Sequence, residues 1–342
     1  MQKVIQALLV LLGVVALVFI MFQGFGDPAR MVVGQSGDKK TMDNIRNDLY
    51  LNQPKWKQFL LYLNDVSPIC IHSNTDIEKK QLKGFFVGGN NKIGIKLPYL
   101  RKSYQTKKEV GTLLLEALPG TLLLAFAAMF FATIIGIFLG VLAAVKKGTW
   151  IDTSAVMAAI VGISVPSFFM AMVVAFLFGV VLHNFTGLHF TGSWFDIDEV
   201  TGERYITLKN LILPAFTLGI RPLAIITQLT RSSMLDVLGQ DYIRTAYAKG
   251  LNSTTVIYKH ALRNALNPVI TAITGWFAEL LAGAFFVEYI YGWKGIGKIT
   301  VDALEKLDYP VVMGSVLLSA CIFITINLLA DVLYGIVDPR VK

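Results

Sequence analysis

Long apolar runs, separated by polar segments, set the pattern of this chain. Each run comprises about 20 residues or more with few charged positions, and an α-helix needs about that length to cross the hydrocarbon core of a bilayer. The pattern therefore predicts an all-α integral membrane protein with six membrane-spanning helices and both termini on one side. The six runs cover residues 4–22, 121–145, 155–182, 211–230, 269–290 and 311–337.

The first and third runs have distinctive features. A cleaved secretory signal peptide has an apolar stretch of about 7–15 residues followed by a small-x-small cleavage site. The first run is longer and continues into Phe-Gln-Gly-Phe, so we predict that residues 1–25 form an uncleaved first span. Pro166 interrupts the third run, and a membrane helix tolerates such a break when neighbouring helices or water satisfy the freed backbone groups.

Composition narrows the class of protein. Hydrophobic residues make up 54% of the 342 residues, charged residues make up 16%, and the mean hydropathy is +0.59. Soluble domains carry about 25% charged residues, and disordered chains have low hydrophobicity, so both classes are excluded. The two cysteines, Cys70 and Cys321, are too few for a disulfide framework. The composition thus supports a membrane protein.

The net charge of +8 lies in one segment between predicted spans. Residues 28–110 contain 15 Lys and Arg against 7 Asp and Glu, whereas the rest of the chain contains 16 basic and 16 acidic residues. A positive charge confined to a segment between membrane spans gives no indication of nucleic-acid binding. The short segments on the side of the N-terminus carry ten Lys and Arg, against five on the other side. Because cytoplasmic loops are enriched in these residues and long loops translocate largely regardless of charge, we predict cytoplasmic termini and an extracytoplasmic segment 26–110.

This extracytoplasmic segment has the pattern of a small soluble subdomain. Apolar and charged residues follow helical spacing over residues 41–51 and 56–63, which predicts two helices. The later part, with Gly-Gly-Asn-Asn at residues 88–91, is typical of turns and short extended pieces. We predict a subdomain without catalytic activity, followed by a five-helix core over residues 111–342.

The most informative stretch is the polar segment 231–264, which follows the fourth run. Gly250 comes after a short predicted helix over residues 242–249 and is suited to end it in the left-handed conformation. Asn252 or Ser253 can then cap a second predicted helix over residues 254–262. From its residues alone, this helix-glycine-helix elbow is either a docking surface for a soluble partner or a simple connecting loop.

The sequence of the elbow resembles a known motif. The segment from Arg244 to Gly250, Arg-Thr-Ala-Tyr-Ala-Lys-Gly, resembles the EAA loop of ABC-importer permeases in the form found in dipeptide and oligopeptide permeases. Arg244 stands where the general pattern has Glu, and Arg263 where it has Pro, and both departures are usual in the peptide-permease branch. Further matches extend along most of the chain and weaken from residues 67 to 97. They are Gly26-Asp27-Pro28-Ala29, Leu118-Pro119-Gly120-Thr121, Ser164-Val165-Pro166-Ser167-Phe168 and Val287-Glu288.

This resemblance implies a type I ABC-importer permease architecture. The chain would be the B-type permease subunit in the inner membrane of a bacterium, forming half of a translocation pore for dipeptides or oligopeptides. The implied partners are a second permease subunit, two ATPase subunits that hydrolyse ATP, an extracytoplasmic substrate-binding protein and the lipid bilayer. Relatives that import nickel or glutathione leave the cargo open.

In this family the elbow is a coupling helix that fits a groove of an ATPase subunit. The resemblance therefore implies mechanical transmission, with no catalytic residue in this chain and no cofactor bound by it. The implied coupling residues are Arg244, Thr245, Ala246, Ala248, Lys249, Gly250, Leu251 and Asn252.

A glycine-rich sequence at residues 292–299, Gly-Trp-Lys-Gly-Ile-Gly-Lys-Ile, nearly matches a phosphate-binding loop. Such a loop needs Ser or Thr after the lysine to hold magnesium, and Ile299 stands there. We therefore exclude ATP binding at this loop and predict that the chain is not an enzyme. The four histidines lack the spacing of a metal-binding motif, so no metal site is predicted.

Ionisable residues inside predicted spans are expensive and are candidates for function. Arg221 either lines a translocation cavity, where its guanidinium would suit a peptide carboxylate, or has a structural partner, which would be Glu279 or a carbonyl at a helix end. Glu279 has the same two alternatives, and Pro166 is a further candidate for the pathway. Glu288 and Asp331 lie near the ends of spans, where we expect their side chains to reach water.

Other classes of membrane protein are compatible with the same composition. A secondary transporter driven by an ion gradient is also apolar, but the inverted repeats and paired broken helices expected there are not visible in the sequence. A membrane enzyme would need a catalytic constellation, and the sequence offers none.

Overall fold

The computed structural model describes residues 2–24, 39–197 and 201–337. Helices dominate these residues, as the long apolar runs predict. In chain order they are α1 (Gln2–Gly24), α2 (Lys39–Asp48), α3 (Lys55–Val66), α4 (Asn74–Lys80), α5 (Val110–Val145), α6 (Trp150–Ser164), α7 (Ser167–Phe176), α8 (His183–Thr186), α9 (Ile212–Leu238), α10 (Asp241–Ala248), α11 (Ser253–Thr255), α12 (Leu262–Gly283), α13 (Phe285–Ile290), α14 (Ile296–Glu305) and α15 (Tyr309–Val337).

Short strands and irregular helical turns complete the described structure. A π-helical turn at Leu177–Val181 continues α7, another at Val256–Ala261 connects α11 to α12, and a 3-10 turn at Leu208–Leu211 precedes α9. The strands are β1 (Ile69–Ser73), β2 (Gly84–Gly88), β3 (Asn91–Lys96), β4 (Phe195–Ile197) and β5 (Arg204–Ile206).

The chain divides into two compact units. The first unit comprises Met1–Leu118 and Ile299–Cys321, and the second comprises Pro119–Lys298 and Ile322–Lys342. Each unit buries apolar side chains of its own.

Close helix packing in the second unit depends on small residues of α5. Gly136 and Gly140 form a G-x-x-x-G pattern, which lets two membrane helices approach closely. A Cβ atom at Gly140 would lie 2.5 Å from Thr230 Cβ, and one at Gly136 would lie 2.8 Å from Ile226 Cγ2. Both contacted residues belong to α9. The two glycines therefore allow the backbone of α5 to pack directly against side chains of α9.

Three stretches of the described residues are long and apolar enough to cross a membrane by themselves. They are Val110–Val145, Leu208–Leu238 and Tyr309–Ala330. Trp150–Ser164 and Ser167–Val181 pass the same test only as a bent pair, which raises the number to four if the pair is one span. A helix lies at each of the six predicted runs, but six spans stay a prediction.

The third predicted run is sharply bent. The helices on either side of the break make an angle of 109°. A proline pushes the residue before it towards extended conformations, and Val165 has φ −81° and ψ 129°. Pro166 has ψ 137°, so α6 ends at Ser164 and α7 begins in a new direction. The proline therefore produces a broken span or a re-entrant loop, which is a stronger effect than the tolerated interruption that the sequence predicts.

The first unit contains a sheet as well as helices. The two helices predicted at residues 41–51 and 56–63 correspond to α2 and α3, with shifted ends. Strands β1 and β2 both pair antiparallel with β3, which lies between them. This sheet departs from the all-α expectation, in the stretch where the sequence predicts only turns and short extended pieces, and so does the antiparallel pair of β4 and β5 in the second unit.

One face of this sheet is apolar and exposed. The opposite face carries Cys70, His72 and Lys96, which are buried. Polar side chains thus lie inside and apolar ones outside, which is the reverse of the arrangement in a sheet with one face in water. The exposed apolar side chains are Ile69, Ile71, Phe85, Val87, Ile93 and Ile95.

Candidate functional site

Helix α10 ends at the turn that the glycine predicts, although it begins and ends one residue earlier than expected. Gly250 has φ +78°. Its amide donates to the carbonyl of Tyr247 over 2.9 Å, and the amide of Leu251 donates to the carbonyl of Ala246 over 3.3 Å. These two hydrogen bonds form a Schellman motif, whose left-handed position is usually occupied by glycine. The predicted conformation of Gly250 is confirmed.

Asn252 caps the helix that follows the turn. Its Oδ1 accepts a hydrogen bond from the amide of Thr255 over 2.8 Å, so Asn252 rather than Ser253 is the cap. The second helix was predicted to end at residue 262, and this prediction is wrong. From Ser253 it passes through a π-helical turn and continues as α12 to Gly283. The elbow is therefore joined directly to the next long helix.

Buried side chains on one side of α10 anchor the elbow. Ile243 and Ala246 pack in an apolar cluster with residues of α5, α9 and α12. The Asn264 Nδ2 group donates to the hydroxyl of Tyr242 over 2.8 Å, which ties α10 to α12. Ala246, one of the predicted coupling residues, thus faces the chain's own core and contributes little to the exposed surface of the elbow.

The other predicted coupling residues form the exposed side of the elbow. The Arg244 side chain is 78% exposed, and its Nη1 lies 3.5 Å from Asp241 Oδ1. Because this exposed pair is held loosely, the guanidinium remains available to a partner. The remaining residues of this exposed side are Thr245, Ala248, Lys249, Gly250, Leu251 and Asn252.

The two helices that the elbow joins also line one cavity. Helix α9 leads into the elbow and α12 leaves it, and the cavity that both helices line has a volume of about 120 Å³. Arg221 of α9 and Glu279 of α12 both line this cavity. Pro166 is not itself part of the lining, but its neighbours Val165 and Ser167 are. The structure therefore brings two of the three predicted pathway residues together.

Arg221 and Glu279 are not paired with each other. Among the ion pairs of the described residues, none joins these two side chains. The Arg221 guanidinium instead lies 5.5 Å from the centre of the Trp276 ring, within the range of a cation–π interaction. Of the two alternatives that the sequence left open, lining of a cavity is the geometry observed.

An ion pair near the elbow end of α9 was missed by sequence reasoning. Arg231 donates through Nε and Nη2 to the two carboxylate oxygens of Asp152, over 2.5 and 2.9 Å. The amide of Gly148 also donates to Asp152, over 3.0 Å. A bidentate contact of this kind fixes the geometry of both side chains. It ties the start of α6 to α9, close to the point where α9 enters the elbow.

The predicted exposure of Glu288 to water is wrong. Its side chain is 0% exposed. Thr121 Oγ1 donates to Oε1 over 2.8 Å, and the amides of Gly297 and Lys298 donate to Oε2 over 2.7 and 3.2 Å. A buried carboxylate needs such donors to offset the loss of water. Here they come from α5 and from the glycine-rich sequence after α13.

The amides of that glycine-rich sequence are therefore occupied from within the chain. Residues 292–299 lead into the N-terminus of α14, where free amides could bind a phosphate. The carboxylate of Glu288 occupies the position that a phosphate would take. A Cβ atom at Gly295 would lie 2.3 Å from Glu288 Oε2. This internal contact is a second reason, besides the missing Ser or Thr, to exclude ATP binding at this loop.

Some predicted features lie outside the described residues. They are the side chain of Asp331, the motif at residues 26–29 and the last residues, 338–342. Within the described residues, no group of three or more His, Cys, Asp and Glu side chains is arranged to hold a metal ion.

A known protein family matches most of the chain. The binding-protein-dependent transport system inner membrane component matches residues 136–342, and the N-terminal part of such membrane components matches residues 1–125. The chain belongs to this family. The predicted family is thereby confirmed, and the protein is an inner-membrane transport component of a family of permeases rather than of catalysts.

Individual relatives show how far the likeness extends. The dipeptide transport system permease protein DppB of Haemophilus influenzae is 44% identical over 254 residues, which cover 70% of this chain and 76% of that protein. The protein of the same name from Alkalihalophilus pseudofirmus is 33% identical over 356 aligned positions, covering 100% of this chain and 98% of that protein. A chain of the MetNI methionine ABC transporter in an inward-facing conformation has a TM-score of 0.47 and 17% identity, over 64% of this chain and 95% of that chain.

Proposed function

We propose that this chain is a pore-forming permease subunit of an ATP-driven importer of dipeptides. The observation that carries the proposal is that one elbow joins the two helices bearing opposite charges in one cavity, Arg221 on α9 and Glu279 on α12. A movement of the elbow would therefore reach two walls of the cavity at once. The likeness to dipeptide transport permeases of other bacteria supports dipeptides as the cargo.

The proposed complex has a type I ABC-importer architecture. This chain forms half of the pore, together with a second permease subunit, and two ATPase subunits hydrolyse ATP. The exposed side of the elbow, from Arg244 to Asn252, fits a groove of an ATPase subunit, while Ala246 holds the elbow from behind. An extracytoplasmic binding protein delivers the cargo, which accords with the family's dependence on such a protein. No cofactor is assigned to this chain.

The cavity at Arg221 and Glu279 is proposed as part of the translocation pathway. A guanidinium suits a carboxylate, and a carboxylate suits an ammonium group, so the two side chains match the two ends of a zwitterionic dipeptide. Pro166 contributes by separating α6 from α7 beside the cavity. Ni²⁺ matches Glu279 alone, and glutathione carries one carboxylate more than the two side chains can balance. These alternative cargoes therefore fit the charges less well.

Uptake by the reconstituted complex tests this function. Proteoliposomes that contain the complex and its binding protein should take up radiolabelled dialanine while ATP is hydrolysed, and should stop with a non-hydrolysable nucleotide. Collapse of the ion gradients with ATP present should leave uptake unchanged. Uptake that followed a gradient instead would support a secondary transporter, and strong competition by glutathione or Ni²⁺ would reassign the cargo.

The orientation of the chain is tested separately. We propose that the termini and the elbow are cytoplasmic and that residues 26–110 are extracytoplasmic. In a background that lacks Cys70 and Cys321, Asn90→Cys should react with an impermeant thiol reagent on spheroplasts, whereas Ser253→Cys should stay protected. The opposite labelling would invert the proposed topology.

A further inference from the structure

Two cavities of the first unit meet at the same three side chains. Lys80, Tyr99 and Arg101 line both of them. One cavity, of about 490 Å³, is lined by polar and charged residues, and we call it the polar cavity; the other, of about 410 Å³, is largely apolar. Neither contains a residue of the elbow or of the cavity at Arg221.

The polar cavity is strongly basic. Its only acidic lining residue among those described is Asp76. A cleft lined by one sign of charge raises the local concentration of ligands of the opposite sign. The cavity is therefore suited to an anion, and its five basic side chains are Lys79, Lys80, Arg101, Lys102 and Lys107.

Arg101 is buried with an unsatisfied donor. Its side chain is 11% exposed, its Nη2 lies 3.9 Å from Asp65 Oδ2, and its Nε has no hydrogen-bond partner among the described residues. Asp65 is bound more closely by Lys80 Nζ, at 2.6 Å, and by the hydroxyl of Tyr50, at 3.0 Å. Burial and the Asp65 charge raise the pKa of Tyr50, so this hydroxyl stays protonated and able to donate. Asp65 is thus already satisfied, whereas Arg101 could still bind an oxyanion with the bidentate geometry that a guanidinium favours.

The loop that carries Arg101 is held in place without a ligand. Arg101 and Lys107 have φ angles of +66° and +62°, a conformation that residues other than glycine rarely adopt. The carboxylate of Asp308 accepts hydrogen bonds from the amides of Tyr104 and Gln105, over 3.0 and 3.3 Å. A loop fixed in this way loses little conformational entropy when a ligand binds.

The apolar cavity adjoins helices of the membrane. Part of its lining comes from α5 and α15, and both contain stretches long enough to cross a bilayer. Leu97 and Leu115 are 70% and 64% exposed, so the groove opens outwards. Its leucines are Leu82, Leu97, Leu100, Leu114, Leu115 and Leu318.

We propose that these two cavities together bind one anionic phospholipid. The phosphate group lies in the polar cavity against Arg101, with Lys102 and Lys107 beside it, and one acyl chain lies along the leucines. A soluble anion would use only the polar half and would leave exposed leucines such as Leu115 without a partner, so the lipid is the better fit. Basic pockets beside membrane helices recognise anionic lipid headgroups by the same physics. The proposal does not depend on dipeptide transport.

The lipid retained by the purified full-length chain tests this site. The protein is released from bilayer discs made of equal parts dioleoyl phosphatidylglycerol and dioleoyl phosphatidylcholine, and bound lipids are counted by native mass spectrometry. We expect enrichment of phosphatidylglycerol and a loss of about fivefold in Arg101→Gln, the effect of one basic residue on binding an anionic lipid. Equal retention of the two lipids, or unchanged retention in Arg101→Gln, would overturn the proposal.

Matched variants separate the site from the general charge of the protein. Lys57→Gln removes one charge from an exposed position of α3 that lines neither cavity, and it should leave retention unchanged. Lys102→Gln combined with Lys107→Gln leaves the buried Asp65 cluster intact. This double variant should lower the retention of phosphatidylglycerol even if Arg101→Gln fails to fold, and normal retention would contradict the proposal.

Soluble competitors separate a lipid from a soluble anion. Glycerol phosphate, which lacks the acyl chains, and the dipeptide Ala-Glu should not displace phosphatidylglycerol at millimolar concentration. Displacement by either compound would assign the polar cavity to a soluble anion and overturn the lipid proposal. Leu115→Ser should lower lipid retention, because it removes apolar surface from the groove and leaves the basic side chains in place.

Discussion

Two turns of this protein need glycine for different physical reasons. Gly250 has φ +78°, and a Cβ atom there would meet nothing within 4 Å. At Gly295 a Cβ atom would lie 2.3 Å from Glu288 Oε2. Gly250 is therefore required by its backbone conformation, and Gly295 by the space that a buried carboxylate occupies.

This difference shows what a glycine-rich sequence can and cannot indicate. The turn at Gly250 leaves the side chains from Arg244 to Asn252 exposed, apart from that of Ala246, so it can serve a partner. The turn at Gly295 directs the amides that follow it onto Glu288 of the same chain. Both sequences predict a turn, but only the contacts of each turn tell whether it serves the protein's own core or another molecule.

The largest effect is expected at the internal turn. Gly295→Ala should destabilise the protein by about 3 kcal/mol, because the new methyl group displaces the Glu288 carboxylate from hydrogen bonds that keep a buried charge satisfied. Thermal unfolding of the purified protein in detergent measures the change. Gly275→Ala is the matched control, since a Cβ atom at Gly275 would meet nothing within 4 Å, and a similar loss in both variants would refute the role assigned to Glu288.

A smaller loss of stability, with a specific loss of function, is expected at the elbow. Gly250→Val should cost about 1–2 kcal/mol, the penalty for holding a β-branched residue in the left-handed conformation. The protein should still accumulate in the membrane, but ATPase subunits should co-purify poorly and uptake should fall. Gly202→Val is the matched control, because Gly202 has φ +71° and equal free space. Normal assembly and transport by Gly250→Val would end the coupling proposal for the elbow.

The smallest effect is expected at the cap beside this turn. Asn252→Ala removes the acceptor of the Thr255 amide and should cost about 1 kcal/mol. Hydrogen exchange should then speed up at the amides of residues 253–256, while Asn252→Ser, which can still cap, should stay close to the original protein. Unchanged exchange in Asn252→Ala would mean that the rest of α12 holds the elbow without the cap.

A feature could be predicted from the sequence when the residues that interact lie close together along the chain. Gly250 and Asn252 belong to caps formed by residues a few positions away, so local sequence predicted the first and narrowed the second to Asn252 or Ser253. Glu288 is bound by Thr121, which is 167 positions away, and Arg231 by a carboxylate 79 positions away. Local patterns contain no information about such pairs. Glu288 was therefore expected at the surface, and the ion pair of Arg231 was missed.

The helices and the sheet show the same limit. Apolar run length located helices at all six predicted spans, because a segment in a bilayer must satisfy its backbone internally. It could not give the angle of 109° at the third run, because a proline fixes where a helix breaks and packing fixes the new direction. Strands β1 to β3 are short, and their pairing depends on residues of other strands, so the sequence indicated extended pieces without the sheet.

The continuous helical path from Ser253 to Gly283 would act as a lever arm for the proposed coupling at the elbow. At about 1.5 Å per residue, Glu279 lies roughly 40 Å along this path from Ser253. If this path moves as one rigid body through its π-helical turn and Pro268, a tilt of about 5° at its foot gives a shift of about 3.5 Å at Glu279, close to the length of one residue of extended peptide. A rotation small enough to leave the cap at Asn252 intact would thus move one wall of the cavity by a peptide-sized step.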